Sequence, residues 1–308
     1  MIHTFKLSLA LLVVGLVASC GTPAATPQPA TTPVGPNPAV LQVVATFSIL
    51  GDLVQQVGGE HIHLKTLVGP GGDTHTFEPT PLDAATLADA QLVFENGLAF
   101  EGWIDKLFAA SGSTATRVVV STGVTPLHAD GELDPHIWHS VPNAIRMVER
   151  IRDALIIADT ANADAYRANA ATYVTQLNAL EAWVQAQVAT LPANQRKLVT
   201  SHDTFGYYAQ QYGFAIIGTV LGVSTEASDP AAAEVVRLIE VIKTTGVKAI
   251  FAENVSNTAL IERISSETGA KLGPPLYTDA LGDPGSAGDS YITMIRYNTM
   301  AIVNALKG

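Results

Sequence analysis

The sequence predicts an α/β protein of two lobes, each a mostly parallel sheet flanked by helices, joined by one long rigid helix. Three observations predict it. From Val40 onward short β-branched runs alternate with segments of helical spacing, the pattern of parallel sheets with helices on their faces. An Ala-rich middle stretch then loses the alternation and keeps helical spacing. After Pro192 the alternation resumes.

Taken in order, VVATF (43–47) is a strand, and SILGDLVQQVGG after it is a helix closed by a glycine pair. HIHLKTLV (61–68) reads as a strand, LDAATLADA (82–90) as a helix and QLVFENG (91–97) as a strand. FEGWIDKLFAASG (100–112) is a helix and TRVVVST (116–122) a strand. From Pro142 to Leu191 the spacing is helical throughout. Residues 165–191 suit one helix of about 40 Å at 1.5 Å per residue, ended by Pro192. In the second half RKLVTSH (196–202) is a strand, DTFGYYAQQYG (203–213) a helix closed by Gly213, and FAIIGTV (214–220) a strand. PAAAEVVRLIEVIKTTG (230–246) is a helix with proline at its start and glycine at its end. VKAIFAE (247–253) is a strand and TALIERISSETG (258–269) a helix.

The chain of 308 residues is 47% hydrophobic, enough for one large or two ordinary cores. Charged residues are only 15% and the net charge is -11. That composition is neither disordered nor suited to phosphate backbones, so no nucleic-acid partner is expected. A single cysteine excludes an internal disulfide and a thiolate metal cluster. Any metal site is therefore built from His, Asp and Glu.

That cysteine stands at the end of MIHTFKLSLALLVVGLVASC. Lys6, an apolar run from Leu7 to Val17 and small residues before Cys20 form a three-part secretory signal. The run is too short to span a bilayer comfortably. Val17-Ala18-Ser19-Cys20 resembles a bacterial lipobox, which implies lipidation of Cys20 and a new N-terminus there. Residues 21–38, rich in Pro, Thr and Ala and free of charge, read as an extended tether. The expected organisation is a signal peptide (1–19), lipidated Cys20 and tether (20–39), a first lobe (40–163), a connecting helix (164–191) and a second lobe (192–308).

Eight histidines carry the chemistry. His3 leaves with the signal. His61 and His63 share a strand face, a spacing that can hold a metal but more often marks a strand surface. His75 lies in the Gly/Pro-rich loop GPGGDTHTFEPTP directly after a strand, where open α/β sheets place their ligands. His136 follows an Asp-Pro turn in DPHIWHS, and His139 shares its face if the segment is helical, as an accessory or a surface residue. His202 closes the first strand of the second lobe, and Asp279 in PLYTDALGDPG is the matching position. Taken singly, each histidine also reads as an ordinary loop residue. Jointly, three histidines and one carboxylate at strand ends suit zinc, which takes four N/O neighbours.

On these residues the sequence resembles the metal-binding solute receptors of ABC importers, the zinc/manganese lipoprotein group called cluster A-I, from about Leu41 to Leu306. GPGGDTHTFEPTP is similar to the family's loop with a ligand histidine before an aromatic and Glu-Pro. DPHIWHS resembles its Asp-Pro-His-x-Trp stretch. TSHDTFGYYAQQYGF resembles the segment with His in many zinc receptors and Glu in many manganese ones. YTDALGDPGSAGDSYITMIRYN resembles the segment whose first Asp is a ligand. The resemblance implies His75, His136, His202 and Asp279 as ligands in a cleft between lobes. It assigns no role to His139, where other members often carry Leu or Gln. Dedicated zinc receptors often have a long His-rich loop before Asp-Pro-His; here PLHADGELDPH (126–136) has only His128 in addition.

The resemblance implies a monomeric receptor, not an enzyme, held by a lipid anchor on the extracytoplasmic face and handing a divalent metal to an ABC importer permease. His202 favours Zn2+, with Mn2+ or Fe2+ as the alternatives. A hydrolytic zinc site lacks support, since Asp279 closes the fourth position and no HExxH or nucleophile elbow is present. A surface adhesin is the alternative of a different class.

Overall fold

The computed structural model describes residues 40–129, 131–225, 230–255 and 258–307. The signal, Cys20 and the tether lie outside them. From Val40 the chain forms one compact unit. Its first lobe opens with β1 (Leu41–Phe47), α1 (Ser48–Gly58) and β2 (Ile62–Val68). Then follow α2 (Pro81–Asp89), β3 (Leu92–Glu95), α3 (Ile104–Ser111) and β4 (Thr116–Val119). The four strands make one parallel sheet in the order β2-β1-β3-β4, with Val43 paired to Leu64 on one side and Leu92 on the other. Apart from Gln42, β1 is buried along its length, as its unbroken run of apolar residues requires of a central parallel strand.

A hairpin of β5 (Leu127–Ala129) and β6 (Glu132–Asp134) precedes α4 (Val141–Ala158) and α5 (Ala163–Ala189). The Ala-rich middle is thus two helices. Asp159 ends α4, and its carboxylate accepts from Asn162 Nδ2 (2.7 Å) and the Tyr166 hydroxyl (2.8 Å) to start the next. The 27 residues of α5 bury Tyr166, Ala170, Tyr173, Leu177, Leu180, Val184 and Val188, spaced three or four apart along one face. This is the connecting helix.

The second lobe holds β7 (Lys197–Thr200), α6 (Gly206–Tyr212), β8 (Ala215–Thr219), α7 (Ala232–Thr245), β9 (Ala249–Ile250), α8 (Ala259–Thr268) and β10 (Lys271–Leu272). Its strands pair parallel, β7 with β8 and β9 with β10, and parallel bridges Thr200–Phe251 and Glu253–Leu276 continue the sheet. Gly213 and Gly246 end α6 and α7 at φ 74° and 64°, the left-handed conformation that glycine adopts without a Cβ penalty.

Several elements differ from expectation. The helix predicted from residue 100 begins at Ile104, because Leu98 and Ala99 turn the chain through φ 56° and 62° first. The helix predicted from residue 203 begins at Gly206, after a turn closed by Thr204 N–H donating to His202 O (3.1 Å). The hairpin and a C-terminal helix, α9 (Tyr291–Lys307), were not predicted. Residues Tyr291, Met294, Ile295, Asn298, Ile302 and Leu306 form the buried face of α9, which packs on α5.

The loop after Leu276 belongs to the second lobe by sequence yet is bonded to the first. Trp138 Nε1 donates to Thr278 O (2.9 Å), Leu281 N to Ser48 Oγ (3.0 Å) and Gly71 N to Leu281 O (2.9 Å). From α9 the Tyr291 hydroxyl donates to Trp138 O (2.8 Å).

Candidate metal centre

His75, His136, His202 and Asp279, from four separate segments, converge in the cleft. One ligand atom from each lies within 4.8 Å of every other. Each segment reaches the cleft for a local reason. His75 sits in the loop after β2, where Asp73 Oδ1 accepts from the His75 backbone N–H (2.9 Å). His136 follows β6, and Asp134 Oδ1 receives both its backbone N–H (2.9 Å) and its ring Nδ1 (2.8 Å). His202 lies two residues beyond β7, at the carboxyl end of a parallel strand. Asp279 lies three residues past the Leu276 bridge, on the loop held by Trp138 and Ser48.

All four side chains are buried: His136, His202 and Asp279 at 0% exposure and His75 at 6%. Nε2 of His75 lies 3.4 Å from Asp279 Oδ2, Nε2 of His202 3.2 Å from the same oxygen, and Nε2 of His136 3.5 Å from Oδ1. The His75 and His136 Nε2 atoms are 3.4 Å apart. Neither Asp279 oxygen nor His202 Nε2 has a hydrogen bond of good geometry. Buried polar atoms left so cost about 1–3 kcal/mol each, and a shared cation removes that cost. A tetrahedron with metal–nitrogen bonds of about 2.0–2.1 Å has edges of about 3.3–3.4 Å, close to these separations. The donor set therefore fits a divalent metal.

Outer carboxylates orient the rings. Asp134 holds Nδ1 of His136, and Glu253 faces Nδ1 of His202, so Nε2 of each points into the centre. Glu253 also accepts from the His202 backbone N–H through Oε1 (2.8 Å) and from Thr278 Oγ1 through Oε2 (3.2 Å). Burial opposes charge on His202, but the carboxylates of Glu253 and Asp279 outweigh it and hold its imidazole well above the ordinary histidine value. Burial would raise Asp279 too; His202 and His136 outweigh it and keep the carboxyl well below its usual range. An aromatic floor of Phe47, Phe100 and Trp138, with ring centroids 4.9–5.0 Å apart, lies beneath His75 and His136 and lowers the local dielectric. A cavity of about 440 Å³ is lined by His75, Leu98, Phe100, Leu133 and Val223.

The other histidines stand apart from this group. His63 is exposed on β2, and His61 is half-buried in the preceding turn against the Tyr166 ring, not on the strand face. His128 is exposed on β5. His139 is not a surface residue: it is fully buried, and burial pushes its imidazole down to about 3. Sequence reasoning missed Asp134 and Glu253 as orienting groups. Glu253 closes a strand as His202 does, and that position was the available signal. No helix among the described residues is long and apolar enough to cross a membrane.

Comparison with known proteins identifies the family. Residues 43–305 match the family model described as ZnuA, zinc-uptake complex component A periplasmic. The manganese-binding lipoprotein MntA of Halalkalibacterium halodurans is 34% identical over 86% of this chain and 88% of its own. The iron-binding protein YfeA of Yersinia pestis is 33% identical over 82% of each. Among solved structures, the periplasmic zinc-binding protein TroA of Treponema pallidum superposes with a TM-score of 0.81 at 31% identity, covering 86% of this chain and 98% of that one.

Proposed function

We infer the cargo and its handling from the premise that this chain belongs to the ZnuA family, zinc-uptake complex component A periplasmic. It is a metal-binding substrate-binding protein of ABC importers and a transport receptor, not an enzyme. The proposed cargo is zinc, held by Nε2 of His75, His136 and His202 and by the carboxylate of Asp279. The observation that carries this reading is the convergence of three imidazoles on one buried carboxylate whose oxygens lack good hydrogen bonds. Imidazole-rich sets suit zinc, whereas manganese prefers oxygen.

A second reading has an observation of its own. Both oxygens of Asp279 face imidazole nitrogens, Oδ1 toward His136 and Oδ2 toward His75 and His202. A two-oxygen carboxylate would give five donors and admit manganese or ferrous iron. Relatives carry names for all three metals.

The proposed setting is the extracytoplasmic face, with Cys20 lipidated, residues 21–38 as tether, and an importer permease as the receiving partner. Lipoprotein names among the relatives support it. No geometry described above favours a surface adhesin. The test is elemental mass spectrometry on metal-stripped protein lacking the first 20 residues, offered equimolar zinc, manganese and ferrous iron. Zinc near one atom per chain, lost in His202→Ala, is the expected result. Manganese retained beside zinc supports the five-donor reading, and no bound metal overturns both.

A further inference from the structure

His139 is buried beside the centre and takes no part in the four-residue group. It lies three residues after His136, and Thr204 lies two after His202. Across the cleft His139 Nε2 stands 3.2 Å from Thr204 Oγ1, a hydrogen bond directly between the two histidine-bearing segments. Both residues are fully buried. The His139 ring packs tilted against Phe205, with centroids 4.6 Å apart and planes 31° apart, and the Trp138 ring lies at 5.8 Å. Its Nδ1 has no partner.

An imidazole in such a place costs stability. Burying it with one nitrogen unpartnered forfeits hydration that an apolar side chain between Phe205 and Trp138 would not lose. What the imidazole adds is direction. Packing alone lets the 136–139 turn slide over the 202–205 turn, whereas a buried hydrogen bond fixes their register. Each turn is short and holds one imidazole of the centre: Thr204 N–H is bonded to His202 O (3.1 Å), and His139 N–H approaches His136 O (3.4 Å). Fixing Thr204 against His139 therefore fixes His202 against His136. Metal centres lose affinity when donors shift by fractions of an ångström, and tetrahedral zinc needs shorter donor–donor edges than a larger, oxygen-preferring ion.

We propose that His139 is a positioning residue: through Thr204 it spaces His136 from His202 across the cleft, and that spacing sets the preference for zinc over manganese. The proposal rests on the four-residue metal reading above.

The test compares wild type with His139→Leu, His139→Gln, Thr204→Val and the Leu/Val double variant, each titrated with zinc, manganese and cobalt(II). The expected result is a loss of zinc affinity of about tenfold or more in His139→Leu and in Thr204→Val. Manganese affinity changes less, and the visible spectrum of bound cobalt shifts. The double variant loses no more than either single one, because both remove one bond. Glutamine, whose amide can reach Thr204, recovers most of the zinc affinity. The metal-free His139→Leu chain melts no lower than wild type. Should His139→Leu fail to fold, the near-isosteric Thr204→Val carries the test alone. Unchanged zinc affinity and cobalt spectrum in the variants, with wild type binding metal, overturn this inference and leave the receptor reading standing. Equal losses for all metals with a lower melting point and no rescue by glutamine also overturn it, in favour of plain packing. A wild-type chain that binds none of the three metals overturns both.

Discussion

Nε2 of His202 lies 3.2 Å from Oδ2 of Asp279, an imidazole and a carboxylate facing each other with no water-accessible surface on either. Without metal, a proton on His202 would make the two an ion pair.

That proton sets the pH dependence. His202 is held above its ordinary value of 6.5 in the folded chain, so its stabilising contribution is complete below 6.5 and is lost as pH rises through the raised value. Asp279 is held below its ordinary value of 3.8, so its contribution is present above 3.8 and is lost as pH falls through the lowered value. Near neutrality the metal-free chain keeps the pair, and binding must expel the His202 proton. About one proton per metal should appear in calorimetric titrations run in buffers of different protonation enthalpy. Affinity should keep rising with pH past the usual histidine range. Binding at pH 7 with no proton released would contradict this.

Glu253→Gln removes the anion behind His202 and leaves its size. The ring then loses the partner that aims Nε2 into the centre. Zinc affinity should fall roughly 10- to 100-fold, measured by chelator competition, and fewer protons should be released per metal. Affinity equal to wild type would mean the imidazole is oriented by packing alone.

Gly206→Ala gives a prediction whose sign departs from helix propensity. Gly206 begins α6, where alanine would ordinarily stabilise by about 1 kcal/mol. A Cβ there would lie 2.4 Å from Asp134 Oδ2, and that carboxylate is fixed by its two bonds to His136. The variant should therefore bind zinc more weakly and gain no thermal stability. A higher melting point with unchanged affinity would show that Asp134 can move freely.

Glu101 supplies a test away from the metal. It is buried, receives the Thr46 hydroxyl (2.6 Å) and the backbone N–H of Asn96 (2.7 Å) and Gly97 (3.1 Å), and anchors the turn that carries Leu98 and Ala99. Burial pushes its carboxyl up to about 7 despite these bonds. A raised folded value means stability complete below 4.5 and lost as pH rises through about 7. The loss is on the order of 3 kcal/mol. Denaturant unfolding at pH 5 and pH 8 should show that decline in wild type and a flatter profile in Glu101→Gln. Parallel profiles would place the titration elsewhere.

The sequence made legible whatever depends on local periodicity or on a strand's end. Alternating runs marked both sheets, glycines such as Gly213 and Gly246 marked helix ends, and the strand-end rule found His75, His202 and Asp279. What stayed hidden depends on partners distant in sequence. The β5–β6 hairpin has only three residues per strand, too few for an alternating pattern to register. The buried face of α9 has clear helical spacing, yet its Ile, Thr, Tyr and Val content favours strands, and tertiary packing on α5 decides the matter. Asp134 and Glu253 look like ordinary turn and strand-end acids until folding sets imidazoles against them. His139 looked equally suited to the surface, because nothing in HIWHS shows that Phe205 and Thr204 will cover it.

The bonds from Trp138, Ser48 and Gly71 to the loop around Asp279 bear on how such receptors can be recombined. A chimera cut at the connecting helix would take its first half from one parent and the Asp279 loop from the other. The Gly71–Leu281 bond joins backbone to backbone and would survive any change of side chain. Those at Trp138 and Ser48 require an indole and a hydroxyl in the donated first half. The halves are therefore heritable as separate blocks only between parents that share those two side chains. A crossover that breaks the match should leave both sheets folded and the Asp279 loop poorly held.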